Sequence, residues 1–435
     1  MSHTNGLWPH QAAEVEQHWA DPARALLWQP RTGKTRTMVE TIRRLVEEEH
    51  VTRILVVAPK LVCLTVWMQE EWPDAVCLVD LCTGSVARRA DRLRVRRVGE
   101  EPTVAIINFD VLSPLLPELL RWKPQVIVAD EMHKIKRAGS RRSRALHRLG
   151  SQARFRRGLT GTPDPQHLGD YYSQYKFLDS SILGTNLADF SEQYLVLHPL
   201  YRSKVIGYKH LSELRSKVFS IASRVTREKA FGVGIEPPPV LRDLPMTPAE
   251  RSAYTELRTA PYANKLTKLL RLQQATARMK PPHVVAELDD IIEAGEKAVV
   301  WVRFIEELDM TVKAIEDEWP TLLLYDIQGD TSDTRRKDIV TQFRVVDGPA
   351  VVVCQIQTGA LGIKLAAANY EIFSTLTWSA EEYVQAKDRI WEAPDKPKTS
   401  IHLFMDGTPD RLVWSALHKK IDVSERFLQE AGWTG

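Results

Sequence analysis

The 435 residues are 43% hydrophobic and 26% charged, ordinary globular usage that excludes wholesale disorder, and at about 100 to 200 residues per domain the length points to two or three domains. Lys and Arg total 59 against 56 for Asp and Glu, so the net charge of +3 names no partner and the distribution of charge must carry that argument. No run of eighteen apolar residues and no secretory leader pattern occur, so neither a spanning helix nor membrane attachment is expected, and the chain reads as soluble and cytoplasmic.

Two stretches share one rhythm, a short apolar strand followed by an amphipathic helix, which predicts an α/β fold of two lobes with parallel sheets flanked by helices. In the first, ALLW at 25 to 28, RILVVA at 53 to 58, TVAII at 103 to 107 and QVIVA at 125 to 129 are of strand length and rich in β-branched residues. The helix expected after Lys34 puts Met38, Ile42, Leu45 and Val46 on one face and leaves the acidic run Glu47 to Glu49 in solvent. The four cysteines, Cys63, Cys77, Cys82 and Cys354, lack CxxC spacing and a nearby His pair, so free thiols are expected. From about 171 to 283 the pattern loosens, with Pro-rich breaks at 237 to 239 and 281 to 282. The expected division is therefore an N-terminal lobe over 1–235, a linker with a helix over 236–283, and a C-terminal lobe over 284–435. Thr247, Pro248 and Glu250 form a capping box that starts the linker helix. In the second lobe KAVVWV at 297 to 302, PAVVVC at 349 to 354, YEIF at 370 to 373 and SIHLF at 400 to 404 are strands, and Ser379 with Glu382 opens a helix over about 379 to 392.

Strand ALLW runs into QPRTGKT at 29 to 35 and then the amphipathic helix, the context of a phosphate-binding loop. Thr32, Gly33, Lys34 and Thr35 would surround the β and γ phosphates of ATP, with the Thr35 hydroxyl on Mg²⁺. The match is incomplete: Trp28 stands where the pattern wants Gly, and Pro30 removes one N–H donor. Alone, GKT is also an ordinary helix start. Strand QVIVA runs directly into Asp130, Glu131, Met132 and His133, placing two carboxylates at the C-terminal edge of a parallel sheet, where such sheets bind ligands. Asp130 would hold Mg²⁺ and Glu131 would orient and deprotonate the attacking water. Two acids capping a helix is the structural alternative, and it leaves the upstream phosphate loop unexplained. Thr160, Gly161, Thr162 and Pro163 follow in order.

The ordered set GKT, DEMH (a DEAD/DEAH-box variant), TGTP, TGALGIKL and QAKDR resembles superfamily-two helicases, and more narrowly the Swi/Snf-type DNA translocases, including the compact versions of phages and prophages. The likeness runs from LWPHQ at 7 to 11 through GTPDRLVWSALHKKID at 407 to 422, and its most specific stretch is LTGTPDPQHLGDYYSQYKFL at 159 to 178. The resemblance implies two tandem RecA-like lobes with an ATP cleft between them. It implies that Gln11 reads adenine, that Gly362 and Gln385 belong to the nucleotide site, and that Arg389 is an arginine finger. Gln385 and Arg389, four apart on one helix, would then share a face. It also implies that His133 and Thr162 couple nucleotide state to DNA, and that Lys60, Trp67, Asn108 and Thr358 contact the nucleic-acid backbone. Two positions depart from the family: Glu392 replaces the last Arg of motif VI, and Arg31 replaces a loop Gly.

Ten Lys or Arg and no acid lie between Lys134 and Arg157, and RRADRLRVRR at 88 to 97 holds six Arg with one Asp. Phosphate contact is favoured for the first cluster, while a solvated helix face is an equal reading for the second. No zinc-finger, helix-turn-helix or RNA-recognition pattern is present, so sequence-specific readout is not expected. The expected activity is a nucleic-acid-stimulated ATPase that translocates on duplex or branched DNA, with single strands also admissible. A strand-unwinding DNA or RNA helicase and an ATP-gated clamp with little turnover remain open. No separation wedge is evident. The expected protein is a monomer in a bacterial or phage-infected cell, and an accessory replication or recombination protein is the further partner left open.

Overall fold

The computed structural model describes residues 6–95, 101–161, 168–201, 205–232, 237–359, 363–391 and 398–429. The chain divides into two compact units, Met1–Val233 with Ser424–Gly435, and Gly234–Val423. Strands of the first unit are β1 (Ala23–Leu26), β2 (Arg53–Ala58), β3 (Cys77–Asp80), β4 (Thr103–Asn108), β5 (Val126–Asp130), β6 (Phe155–Leu159), β7 (Leu195–Leu197), β8 (Val205–Tyr208) and β9 (Ala222–Ser223). Seven of them form a parallel sheet in the order β3-β4-β2-β5-β6-β1-β9, and β7 and β8 pair only with each other.

The pleat sorts this sheet's side chains into two cores. Ile54, Val56, Val104, Ile106, Val126 and Val128 pack with Met38, Ile42 and Leu45 of the Lys34–Glu49 helix, as the sequence periodicity requires. The intervening Leu55, Val57, Ala105, Ile107, Ile127 and Ala129 pack on the other face with Leu112, Leu115 and Leu119 and with Tyr171, Tyr172 and Tyr175. The centres of β2, β4 and β5 are therefore apolar on both sides, which is why the sequence shows continuous apolar runs there rather than alternation. The first helix, Pro9–His18, is fastened to β1 by a buried fork in which Arg24 donates to both oxygens of Glu14 at 2.7 and 3.0 Å.

The second unit contains β10 (Val240–Leu244), β11 (Lys297–Val302), β12 (Leu323–Ile327), β13 (Ala350–Gln355), β14 (Tyr370–Phe373) and β15 (Thr399–Met405). They form a parallel sheet in the order β10-β15-β14-β11-β13-β12. The segment 236–283 is not a linker: β10 pairs along its whole length with β15, and Tyr254 and Leu272 from its helices join the second core. The Thr247–Glu250 capping box is present in both directions. At Ser379 only half of one forms, because Glu382 accepts from the Thr377 hydroxyl at 2.6 Å. The helix opened by Ser379 spans Ala380–Lys387, shorter than expected, and Arg389 lies beyond it with its carbonyl accepting from the Leu365 N–H at 2.9 Å. Arg389 and Gln385 consequently do not share a helix face. All four cysteines are free, and no described helix is long and apolar enough to cross a membrane.

Candidate functional site

Sheet order explains how residues so distant in sequence come together. In the first unit β5, β6 and β1 are neighbours and parallel, so the segments leaving their carboxyl ends emerge side by side. These segments begin with Asp130–Glu131, with Thr160–Gly161, and with the loop that reaches Lys34. A Cβ added to Gly161 would stand 2.9 Å from Pro30 Cγ and 3.4 Å from Lys34 Nζ, so the third motif touches the first and tolerates no side chain there.

The phosphate loop is held by its own side chains. Lys34 Nζ donates to the carbonyls of Trp28 and Gln29 at 3.0 and 3.1 Å, and the buried Thr32 hydroxyl donates to the Gln29 carbonyl at 2.7 Å. Gly33 has φ of 80°, and any Cβ on it would collide with Gln11 Nε2 at 2.1 Å. Gln11 donates to the Gly33 carbonyl at 2.9 Å and accepts from the Trp8 N–H at 2.7 Å, so this buried amide braces the loop. One hydrogen bond at each end leaves the amide a second donor and a second acceptor position, so the brace is compatible with the expected role as adenine reader. Arg31 has φ of 68°, a left-handed conformation that costs a residue with a Cβ roughly 1 to 2 kcal/mol and accounts for glycine being the residue that suits this position.

Asp130 is buried, accepting from the Trp67 indole N–H at 2.8 Å and from the Glu131 N–H at 2.9 Å. Burial and the adjacent Glu131 push its carboxyl up to about 6, against the pull of Trp67 and Lys34. Burial likewise lowers the Lys34 ammonium to about 8, even though Glu131 and Asp130 favour its charge. Glu131 adopts φ of 53°, and its Oε2 lies 3.2 Å from Nδ1 of the buried His133, which is itself 3.3 Å from the Thr160 hydroxyl. His133 thus touches both the acidic pair and the third motif.

Trp67 is corrected: its ring is fully buried and its N–H is spent on Asp130, so it supports the acidic pair and presents nothing to nucleic acid. Lys60 is exposed at the start of the Lys60–Thr65 helix, as a phosphate contact requires. Asn108 is buried with its Oδ1 lacking a hydrogen-bond partner, and Thr358 is buried with its hydroxyl 3.4 Å from Gln355 Oε1. Thr35 is partly exposed, Gln385 is buried within the second unit and Arg389 is partly exposed there. Thr162, Gly362 and Glu392 lie outside the described residues.

Two further elements of the site were not read from the sequence. Arg227 approaches the loop from the Arg227–Phe231 helix, its backbone N–H donating to Gln29 Oε1 at 2.8 Å and its side-chain Nε to the Pro30 carbonyl at 3.2 Å. A lone basic residue in a loosely patterned segment carries no signal. Beside the loop stands an aromatic wall: Trp8 is stacked with His10 at 5.8 Å and meets Phe231 edge-on at 4.8 Å. His10 donates through Nε2 to the Thr32 carbonyl at 2.9 Å, and Trp8, 40% exposed, is the open face of the wall. Its place in LWPHQ, three residues before Gln11, was the available clue.

The basic clusters separate. In the Val86–Val95 helix Arg89 and Arg92 donate to the carbonyls of Cys82, Gly84 and Asp80, and Arg94 pairs with Asp91 and Glu118, so that cluster largely fastens its own surroundings. Arg141, Arg142, Arg144 and Arg148 instead form the exposed face of the Arg141–Gly150 helix. The first two line a groove of about 520 Å³ with Phe109, Asp110, Ser113, Pro114 and Ser140, so two arginines there face one acid.

Residues 29–286 match the family model of the SNF2-related domain, and residues 283–393 match that of the helicase conserved C-terminal domain. Among curated relatives, the Xenopus tropicalis SWI/SNF-related matrix-associated actin-dependent regulator of chromatin subfamily A-like protein 1 is 24% identical over 86% of this chain and 42% of its own length. The human DNA annealing helicase and endonuclease ZRANB3 is 23% identical over 82% of this chain and 34% of its own length. The chain thus spans about two fifths or less of these two relatives. A solved structure, the Sulfolobus solfataricus SWI2/SNF2 ATPase core in complex with dsDNA, is 19% identical, covers 98% of this chain and 93% of that one, and has a TM-score of 0.45.

Proposed function

Because the chain belongs to the SNF2-related family, whose domain model covers residues 29–286, we propose that it is a nucleic-acid-stimulated ATPase that hydrolyses ATP to translocate along DNA. The observation that carries this reading is the convergence of Lys34, the Asp130–Glu131 pair and Gly161 at one sheet edge. Lys34 is withheld on two loop carbonyls, and incoming β and γ phosphates offer it stronger, charged acceptors. Glu131, turned by its left-handed backbone, orients the attacking water and takes its proton. Trp8 offers the adenine a face to stack on, while Gln11 keeps the loop in shape.

The acidic pair fits a divalent cation: a buried carboxyl raised by its acidic neighbour is short of positive charge, and Mg²⁺ needs only one or two protein oxygens beside substrate phosphates. Asp130 and Thr35 would hold Mg²⁺, which supplies neutralisation of phosphate charge. His133, in reach of both Glu131 and Thr160, would relay the state of the nucleotide site, and we propose the same coupling role for Thr162. We extend the proposal to Arg389 and Gln385 of the second unit as groups that complete hydrolysis in the ATP-bound state. On the DNA side, Lys60 and the Arg141–Arg142 groove supply exposed cations for backbone phosphates, with no base-reading pattern. The relatives named for chromatin regulation and DNA annealing favour DNA over RNA.

The test is steady-state ATP hydrolysis with closed duplex, forked DNA, single-stranded DNA and RNA. DNA is expected to stimulate turnover at least tenfold, RNA far less, and Lys34→Ala is expected to abolish it. ATP binding without DNA-stimulated phosphate release supports a clamp instead, and stimulation by RNA above DNA supports an RNA helicase.

A further inference from the structure

We infer that one end of the second unit's helix pair, Pro248–Thr259 and Lys265–Met279, is a docking surface for an acidic amphipathic helix of a partner protein. Such docking goes beyond the proposed motor activity and does not depend on it.

The two helices pack on each other and are joined by residues 260–264, so the last turn of one and the first turns of the other stand at the same end. That end is held rigidly. The Tyr262 hydroxyl donates to the Leu257 carbonyl at 2.7 Å, and Asn264 caps the second helix, its Oδ1 accepting from the Thr267 N–H at 2.9 Å and from the Thr267 hydroxyl at 3.1 Å. Further along, the buried Gln273 fixes the rotation of the same helix, because its Oε1 accepts from the Trp378 indole N–H at 2.8 Å and from the Arg303 guanidinium. The Lys265–Met279 helix therefore cannot turn its outward residues in.

Those outward residues include leucines. Leu266 is 79% exposed, Leu270 one turn on is 41% exposed, and Leu257 on the neighbouring helix is 38% exposed. Leu266 and Leu270, four apart, share a face. A fixed leucine stripe in water forgoes the gain of burial, which the apolar side of a partner supplies. Charge selects that partner. From Leu257 to Ala286 the sequence has six Lys or Arg and no acid. Lys280 is buried against Asp410 and Arg278 pairs with Glu306, both at the far end, which leaves Arg258, Lys265, Lys268 and Arg271 near the leucines. None of these four forms an ion pair among the described residues, and Glu256 is the one acid on the last two turns of the first helix. At about 100° per residue, Lys265 falls on one side of the Leu266–Leu270 stripe and Arg271 on the other. A helix that lays leucines on this stripe and carries carboxylates on both of its own flanks meets both cations. A DNA backbone meets the cations but offers the leucines nothing, and the same end of a second copy brings cation against cation.

The test uses the full chain without nucleotide and a fluorescein-labelled, end-capped helical peptide of about five turns, with leucines along one face and glutamates on both flanks, read by fluorescence anisotropy. Two reference peptides keep its length: one scatters the same leucines round the helix, and the other has lysine for every glutamate. The wild type is expected to bind the acidic amphipathic peptide at least tenfold more tightly than either reference. Leu266→Ser/Leu270→Ser, which alters only exposed side chains, is expected to lose that preference. Lys265→Glu/Arg271→Glu is expected to invert the charge preference and take the lysine peptide over the glutamate one, a gain that misfolding does not produce. Duplex affinity and DNA-stimulated ATPase are expected to stay within twofold in both variants. The docking assignment is overturned if the wild type binds none of the peptides or all of them alike, or if charge reversal leaves the preference unchanged. It is also overturned if the leucine variant keeps peptide binding and loses instead duplex affinity, adhesion to vesicles of anionic phospholipid, or a self-association that sedimentation detects in the wild type. A failed motor reading removes the ATPase readout and leaves the peptide results standing.

Discussion

Lys34 and Asp130 are held off their ordinary proton affinities by one cause, burial of charge, and they bracket a pH window. The proposed hydrolysis needs Asp130 ionised to face a cation and Lys34 protonated to face phosphate. Below about 6 the Asp130 carboxyl, titrating as part of its pair with Glu131, takes up a proton; above about 8 Lys34 loses one. Because kcat/KM reports the free enzyme, we expect it to rise through pH 6 and fall through pH 8, with a broader profile for kcat once phosphate holds the lysine charged. Trp67 tests the assignment. Its N–H lowers the Asp130 pKa, so Trp67→Phe should move the acidic limb upward while leaving DNA affinity unchanged. A loss of DNA affinity with an unmoved limb would return Trp67 to the DNA surface. The sequence motif placed Trp67 near nucleic acid because it marks the strand–helix junction, but motif spacing carries no information on which way an indole turns.

Strands with continuous apolar runs were legible, and so were the residues at their carboxyl ends, because a buried parallel sheet demands both. What escaped were short or half-exposed pieces. β10 contains Arg242 and Asp243 and reads as a polar loop, yet as an edge strand it needs partners on one side only. The β7–β8 hairpin was hidden because its apolar residues, Leu200 and Tyr201, serve no core and so follow no period. Lys280 was hidden for the opposite reason: a lysine between helices reads as surface. It is fully buried, donating to the carbonyls of Ser374 and Leu403 at 2.5 and 3.0 Å and pairing with Asp410 at 2.8 Å. It thereby joins the start of the Pro281–Glu293 helix to the ends of β14 and β15 and to the C-terminal helix. Lys280→Met leaves Asp410 as a buried charge without this partner, and breaking such a pair costs about 3 to 5 kcal/mol. Thermal or denaturant unfolding should show a loss of that order in the second unit, against a near-neutral Lys265→Met control on an exposed helix start.

Across the whole molecule, a charge balance of +3 conceals a segregation: an arginine face on Arg141–Gly150 and acidic residues gathered elsewhere, as at Glu47 to Glu49. Neutral on average and cationic where it matters, such a surface binds phosphate backbones with strong salt dependence. The proposed function is an ATP-driven DNA motor, and motion along DNA is the claim that distinguishes it from an ATPase that merely responds to DNA. Displacement of a third strand from a triplex set at a distance from the loading site measures that motion without requiring strand separation. The wild type should release the third strand only with hydrolysable ATP, and Glu131→Gln should bind the same DNA yet release none. Release by Glu131→Gln, or DNA-stimulated hydrolysis by the wild type with no release from either side of the triplex, would contradict translocation.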